Sequence, residues 1–453
     1  MSTTTTPTAP PLTDREAFLK AVERSGLLPP ARLAKAAALP ARAATAAGAA
    51  DALVAAGFLT RFQAGRLLAG RIDGFVIDPY VIQEEIGRGP GGRVFKAVHK
   101  TMNRTVAIKV LAAGRTRTPA AQEAFRREAR AAAKLNHPNV VTAFDANERG
   151  DRAYVVTEYV DGPDLEQLVR ERGPLPAAEA CEIIRQAAVA LQYAREEGMA
   201  HRGIKPTNLL LARASKTLPG CVVKVADFGL ARLAAAADTP VNADTQLPAA
   251  AGPTPDYAAP EPAGDHRADL YSLGCVLHFL LTGRPLFPGG APDETARRHR
   301  TEAPVPVERI RPDVPPAVAD VVRRLLAKDP NARFQSAAAL AARLDILAAG
   351  AVAVDDENGF IAFDVPPAAP ASGSYHPGYL TGMHPQPPAP ATGRHPGDTL
   401  ADPSPWTALT DEVRPVGGRR RGGVSAVTLL VIALSALTGV MLGANFLLKN
   451  LAR

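Results

Sequence analysis

Cysteine is scarce in this chain: three residues in 453, Cys181, Cys221 and Cys275, set far apart. An odd and scattered set excludes a disulfide framework and the paired spacing of a metal site, and it fits reduced core residues in a cytosolic domain. The N-terminal stretch MSTTTTPTAPPLTD has no apolar core and no basic flank, so no secretory signal peptide is expected there. The formal charge is +7, but part of it is the local run Arg419-Arg420-Arg421, and no basic stripe interleaved with aromatics is present. Nucleic acid is therefore not an expected partner.

What is present divides the chain into blocks. With 46% hydrophobic residues over 453 positions, two or three domains with a sizeable core are expected. Residues 1–11 read as a disordered N-terminus. Residues 12–72 are rich in Ala and Leu at helical spacing and predict one or two helical hairpins. Gly26 and Gly57 suit the position just after a helix end, and Thr60 with Gln63 forms a capping-box pattern. This block reads either as a docking module or as a structural extension. From Tyr80 short β-like runs gather around glycines, and helical patterns dominate from about 160 to 348, which predicts a β-rich lobe followed by a helical one. Residues 350–423 are rich in proline and lack apolar periodicity, as in HPQPPAPATGRHPG. They predict a disordered linker, either a plain spacer or a segment with PxxP docking sites. Val424 to Leu448 carries no charge over 25 residues, enough to cross a hydrocarbon core of roughly 30 Å. A transmembrane helix is expected at 424–448, with a short tail at 449–453.

Several motifs carry chemistry. GRGPGGRV places Gly87, Gly89, Gly92 and Val94 in the pattern G-x-G-x-x-G-x-V, in which backbone N–H groups approach phosphates closely. A Rossmann turn shares part of this pattern, but here the glycines lie between two β-like runs, which favours a hairpin. VAIK, Val106 to Lys109, puts a lysine on a strand, and Glu128 on the following helical segment is its natural carboxylate partner. Taken singly, each would be an ordinary solvated charge. VADFGLA sets Asp227 at a strand end, where a carboxylate suits Mg²⁺, and Asn208 offers a second oxygen. HRGIKPTN, His201 to Asn208, fits H-R-D-x-x-x-x-N except at one place: Gly203 stands where the carboxylate should be.

From about Tyr80 to Ala348 the chain resembles a protein kinase domain of the bacterial serine/threonine type. The glycine loop, VAIK, a helical Glu, HR-x-x-K-x-x-N, DFG and Ala259-Pro260-Glu261 follow one another in that family's order. The resemblance implies an α+β, bilobal protein-kinase-like fold with a small β-rich N-lobe and a large helical C-lobe. ATP and Mg²⁺ are the implied cofactors. It also implies roles. Gly87, Gly89 and Gly92 would cover the phosphates, and Val94 and Ala107 would pack the adenine. Lys109 would contact the α/β-phosphates and pair with Glu128. Thr157 would be the gatekeeper, with Glu158 and Tyr159 in the hinge, and Asn208 and Asp227 would bind Mg²⁺. Arg202 and Lys205 flank the altered position, with Lys205 at the γ-phosphate. Glu261 with Arg333 would form a structural ion pair, and Asp269 would hold the catalytic-loop backbone. With its C-terminal span, the whole chain resembles bacterial receptor-like kinases.

The departure at Gly203 removes the group that orients the substrate hydroxyl and takes its proton. Pro253 and the Ala-rich segment before Thr254 also depart from the family. The expectation is a membrane-anchored pseudokinase that binds Mg-ATP and signals or scaffolds. The alternative is an active serine/threonine kinase with an atypical loop. The expected partners are an unidentified protein, the membrane, and a second copy of the chain through Ser435, Gly439 and Gly443, small residues recurring every four positions. The kinase-like domain is expected on the cytoplasmic side.

Overall fold

The computed structural model describes residues 12–352, apart from 40–44, 90, 113–114, 117, 150–151, 213–220, 230–254 and 262–263. The predicted N-terminal disorder, most of the predicted linker and the predicted membrane span lie outside the described residues. Among those described, no helix is long and apolar enough to cross a membrane.

Four short helices come first: α1 (Arg15–Arg24), α2 (Pro30–Ala37), α3 (Ala46–Ala55) and α4 (Arg61–Leu68). Their starts are set locally. Asp14, Thr45 and Thr60 accept hydrogen bonds from the backbone N–H groups of Ala17, Gly48 and Gln63, and Pro30 opens α2 where a missing N–H costs nothing. The helices bury Phe18, Val22, Leu53 and Leu67 in a core of their own.

A six-stranded antiparallel sheet follows. Its strands are β1 (Val76–Ile77), β2 (Tyr80–Gly89), β3 (Gly92–His99), β4 (Thr105–Leu111), β5 (Ala143–Arg149) and β6 (Arg152–Glu158), in the order β1-β2-β3-β4-β6-β5. Strand β4 shows how its sequence sets the faces. Side chains alternate with a period of two. Val106, Ile108 and Val110 are buried with Ile82, Phe95 and Val156, and Phe62 of α4 packs against this cluster. Ala107 and Lys109 alternate with them and remain partly exposed. Helix α5 (Pro119–Ala132), capped by Thr118, packs Phe125 against Leu111, Ala153 and Val155. The sheet thus has α5 on one face and Phe62 on the other.

The second lobe is helical: α6 (Leu165–Arg172), α7 (Ala177–Glu196), α8 (His266–Thr282), α9 (Pro292–Thr301), α10 (Val307–Ile310), α11 (Pro316–Leu325) and α12 (Ala337–Val352), with a small hairpin of β7 (Leu209–Ala212) and β8 (Val222–Val225). Every residue of α8 from Asp269 to Thr282 is buried. A Cβ on Gly274 would lie 2.7 Å from the Leu325 Cβ, so α8 and α11 approach at glycine distance. Helix α12 runs to Val352, two residues beyond the position where the sequence places the start of the linker.

One ion pair ties this lobe together. Arg333 is fully buried and donates to both oxygens of Glu261 at 2.7 Å. It also donates to the carbonyls of Ala327 (2.8 Å) and Arg267 (2.9 Å). Removing one partner of such a pair strands a buried charge, at a cost of about 3–5 kcal/mol. Arg333→Ala is therefore expected to lower the unfolding free energy by that much, read as a fall in the denaturant midpoint, and an unchanged midpoint would show that the pair is not structural.

Candidate active site

Strand β4 and the end of β8 bring two opposite charges together between the lobes. Lys109 Nζ lies 2.5 Å from Asp227 Oδ2. Asp227 follows β8 with φ +68, a left-handed conformation that a residue with a Cβ adopts only at a cost. Burial works to raise its carboxyl, but the charge and hydrogen bond of Lys109, with Lys205 behind it, outweigh burial and hold the group below its usual range. It is therefore ionised at neutral pH. The sequence reading pairs Lys109 with Glu128, and the structure does not. Glu128 on α5 lies instead against Gly229, where an added Cβ would come 2.9 Å from Glu128 Oε2. The order of motifs cannot tell which of two carboxylates a lysine meets, and the left-handed turn at Asp227 brings the nearer one.

The glycine run forms the turn between β2 and β3, with Gly87 opposite Val94 and Gly89 opposite Gly92. Gly92 has φ +132, and a Cβ there would fall 2.0 Å from the Val110 carbonyl oxygen. No other residue fits. A Cβ on Gly91 would lie 3.9 Å from Lys109 Cε, so the hairpin tip sits at the lysine. Val94 pairs with Lys109, and Ala107 pairs with Thr157, which closes the order of strands around the cleft. Thr157 Oγ1 donates to the Glu158 carbonyl at 3.3 Å. The Glu158 carboxylate accepts from Lys224 Nζ at 2.9 Å, and Lys96 Nζ lies 4.6 Å from the centre of the Tyr159 ring. The hinge side chains are thus engaged with the protein.

The loop His201 to Asn208 is held by its backbone. Asp269 of α8 accepts from the N–H groups of His201 (2.8 Å) and Arg202 (2.6 Å), and Arg202 takes φ +58. His201 is completely buried. Its Nδ1 accepts from the Gly203 N–H at 3.1 Å, so its Nε2 carries the proton and donates to the Ala226 carbonyl at 2.7 Å. Burial, only partly offset by Asp269, holds this imidazole below its ordinary range, and it stays neutral. Gly203 is therefore fixed on both sides: its carbonyl accepts from Asn208 Nδ2 at 2.8 Å. Burial, followed by repulsion from Lys109, draws Lys205 below the usual lysine range, while Asp227 and Glu166 pull the other way. The structural role of His201 was missed in the sequence, although the H of the HR pair was its visible signal.

The donor set suits a hard cation. The Asn208 carbonyl accepts from the Ala226 N–H at 2.9 Å, which sets Asn208 beside the residue preceding Asp227. Among the described residues no group of three or more His, Cys, Asp or Glu side chains encloses a metal. One carboxylate and one amide, completed by nucleotide phosphates, match the way Mg²⁺ is usually held.

A sequence model described as "Protein kinase domain" matches residues 80–344. The chain belongs to the protein kinase family. Serine/threonine-protein kinase PknB of Mycolicibacterium smegmatis is 42% identical over 275 residues, covering 59% of this chain and 42% of that protein. PknB of Mycobacterium tuberculosis is 40% identical over 275 residues, with the same coverage of 59% and 42%. A probable serine/threonine-protein kinase of Streptomyces coelicolor is 39% identical over 266 residues, covering 57% and 38%. The chain spans less than half the length of these curated relatives. Among solved structures, the Mycobacterium tuberculosis PknI kinase domain aligns with a TM-score of 0.48 at 27% identity, covering 61% of this chain and 98% of that one.

The glycine hairpin gives a direct test of the geometry. Gly92→Ala is expected to destabilise the fold by about 1–3 kcal/mol, the cost of a residue forced into a strained conformation. Urea unfolding reads this, and a wild-type midpoint would mean that the turn is not built as described.

Proposed function

We propose that the protein is a membrane-anchored member of the serine/threonine kinase family that binds Mg-ATP but transfers phosphate poorly, acting as a pseudokinase in signalling or scaffolding. The observation that carries this reading is Gly203. Its N–H and C=O are held by His201 and Asn208, so the loop is built and only the side chain is absent. The reading assigns Gly87, Gly89 and Gly92 to the phosphates, Val94 and Ala107 to the adenine, and Lys109 to the α/β-phosphates. Asn208 and Asp227 would hold Mg²⁺, which when bound neutralises charge on the phosphates. Lys205 would meet the γ-phosphate. With no carboxylate at 203, the substrate hydroxyl is neither oriented nor deprotonated by this loop, a loss worth about 10²–10⁴ in rate.

A second reading, an active kinase with an atypical loop, draws support from Lys109, Asn208 and Asp227 all standing at the cleft, since positioning and charge neutralisation carry much of phosphoryl transfer. Phosphotransfer to a generic protein substrate separates the two. Gly203→Asp is expected to raise the rate by about 10²-fold or more. Wild-type turnover on the order of 1–100 per second would overturn the pseudokinase reading.

The anchor in this reading is residues 424–448, with Ser435, Gly439 and Gly443 presenting one small-residue face to a second copy. Arg414 and Arg419 to Arg421 precede the span, while Lys449 and Arg453 follow it, a bias that favours the kinase domain inside. Protease added to intact cells is expected to leave the kinase domain whole, and its digestion would reverse the orientation.

A further inference from the structure

The matched kinase region begins at Tyr80, the first residue of β2, but β2 is not held by the kinase sheet alone. Its ladder with β3 is broken twice, between Ile82 and Glu84 and again between Glu85 and Gly87. Such bulges leave residues unpaired and locally disrupt the ladder. Helix α4 takes up the carbonyls at the first break. Gln63 Nε2 donates to the Ile82 carbonyl at 2.6 Å, and Thr60 Oγ1 donates to the Gln83 carbonyl at 2.5 Å. The same two side chains form the capping box of α4. The Gln63 N–H donates to Thr60 Oγ1 at 3.2 Å, and the Thr60 N–H donates to Gln63 Oε1 at 2.9 Å. Each side chain therefore serves the helix with one contact and the strand with another. The Gln63–Ile82 contact is buried, with Gln63 3% exposed and Ile82 fully buried, while Thr60 and Gln83 are half-buried. Between Thr60 and Gln63 in sequence, Phe62 packs into the sheet core, its ring centre 6.3 Å from that of Phe95. The Ile82 N–H is also taken on this side, by the Phe75 carbonyl at 2.8 Å. A few residues further on, the same strand becomes Gly87 and Gly89.

We propose that Thr60 and Gln63 are positioning residues for the nucleotide: the N-terminal helices clamp β2 at its bulge and so fix the glycine hairpin over Lys109. The inference rests on the Mg-ATP reading above. It makes residues 12–72 a working part of the small lobe. Without the clamp, the Ile82 and Gln83 carbonyls lose their donors, and at the buried Ile82 carbonyl water must enter to satisfy it. The bulged strand is then free to shift, and the hairpin tip shifts with it.

Gln63→Glu separates the clamp from the helix cap, whereas Thr60→Val removes the cap acceptor and the clamp donor together. Gln63→Glu keeps the acceptor that the capping box needs, because Glu serves there as well as Gln. It removes the amide donor and sets a carboxylate against the Ile82 carbonyl. Thr60→Val removes the donor to Gln83 without adding charge, and carries the test should Gln63→Glu fail to fold. Thr60→Ser retains both Thr60 contacts and serves as the conservative rescue. The full-length protein is used, with Mg-ATP titration and amide hydrogen exchange as readouts. Gln63→Glu and Thr60→Val are expected to weaken Mg-ATP binding about five- to tenfold, the scale of one lost buried hydrogen bond. They should also speed exchange across residues 84–94 while leaving α7 unchanged, and Thr60→Ser should match wild type. A folded variant with wild-type affinity and wild-type exchange in 84–94 would overturn the clamp. If wild type itself binds no Mg-ATP, the nucleotide reading fails, and exchange in 84–94 alone decides the clamp.

Discussion

The contact between Lys109 and Asp227 is the one on which the candidate site depends. It joins residues 118 positions apart, one on a strand of the small lobe and one on the segment that leaves β8 in the large lobe. A partly buried ion pair needs good geometry to offset desolvation, and both partners are held in place. Lys109 is fixed by strand pairing with Val94 and Val155, and Asp227 by its left-handed turn beside the neutral, buried His201. The glycine tip sits at the lysine, and the loop carrying Gly203 hangs from the same histidine. A change at either end of the pair would be felt across the cleft.

This arrangement gives Gly203 a physical context. The loop from His201 to Asn208 draws its shape from backbone bonds to Asp269, His201 and Asn208, none of which needs a side chain at position 203. A glycine there is compatible with that shape. On the proposed reading, the groups that would bind phosphate and metal survive without the group that would act on a substrate hydroxyl. Binding and chemistry can then be lost separately.

Much of this was legible in the sequence, for definable reasons. In VAIK the alternation of buried and cleft-facing residues follows from strand periodicity, and the glycines around Gly92 mark a turn that tolerates nothing larger. Thr60 with Gln63 was visible as a helix cap because capping is local. Partner choice across the fold was not visible. Motif order assigned Lys109 to Glu128 and Asp227 to the metal, whereas in the structure Lys109 meets Asp227. The second use of the Thr60–Gln63 pair, on carbonyls of β2, depends on a bulge that alternation alone does not reveal. Helix α12 passes the expected linker start because Ala and Val continue the helix beyond Gly350.

The central claim is that the cleft around Lys109 and Asp227 is a working Mg-ATP site. A ligand that binds only the folded state raises its stability by mass action, by about 2.7 kcal/mol at a hundred times the dissociation constant. The most direct measurement is the melting temperature of the protein with and without millimolar Mg-ATP, for wild type and Lys109→Ala. The account predicts a clear upward shift for wild type that shrinks or vanishes in the variant. No shift for wild type, or an equal shift for both proteins, would contradict it.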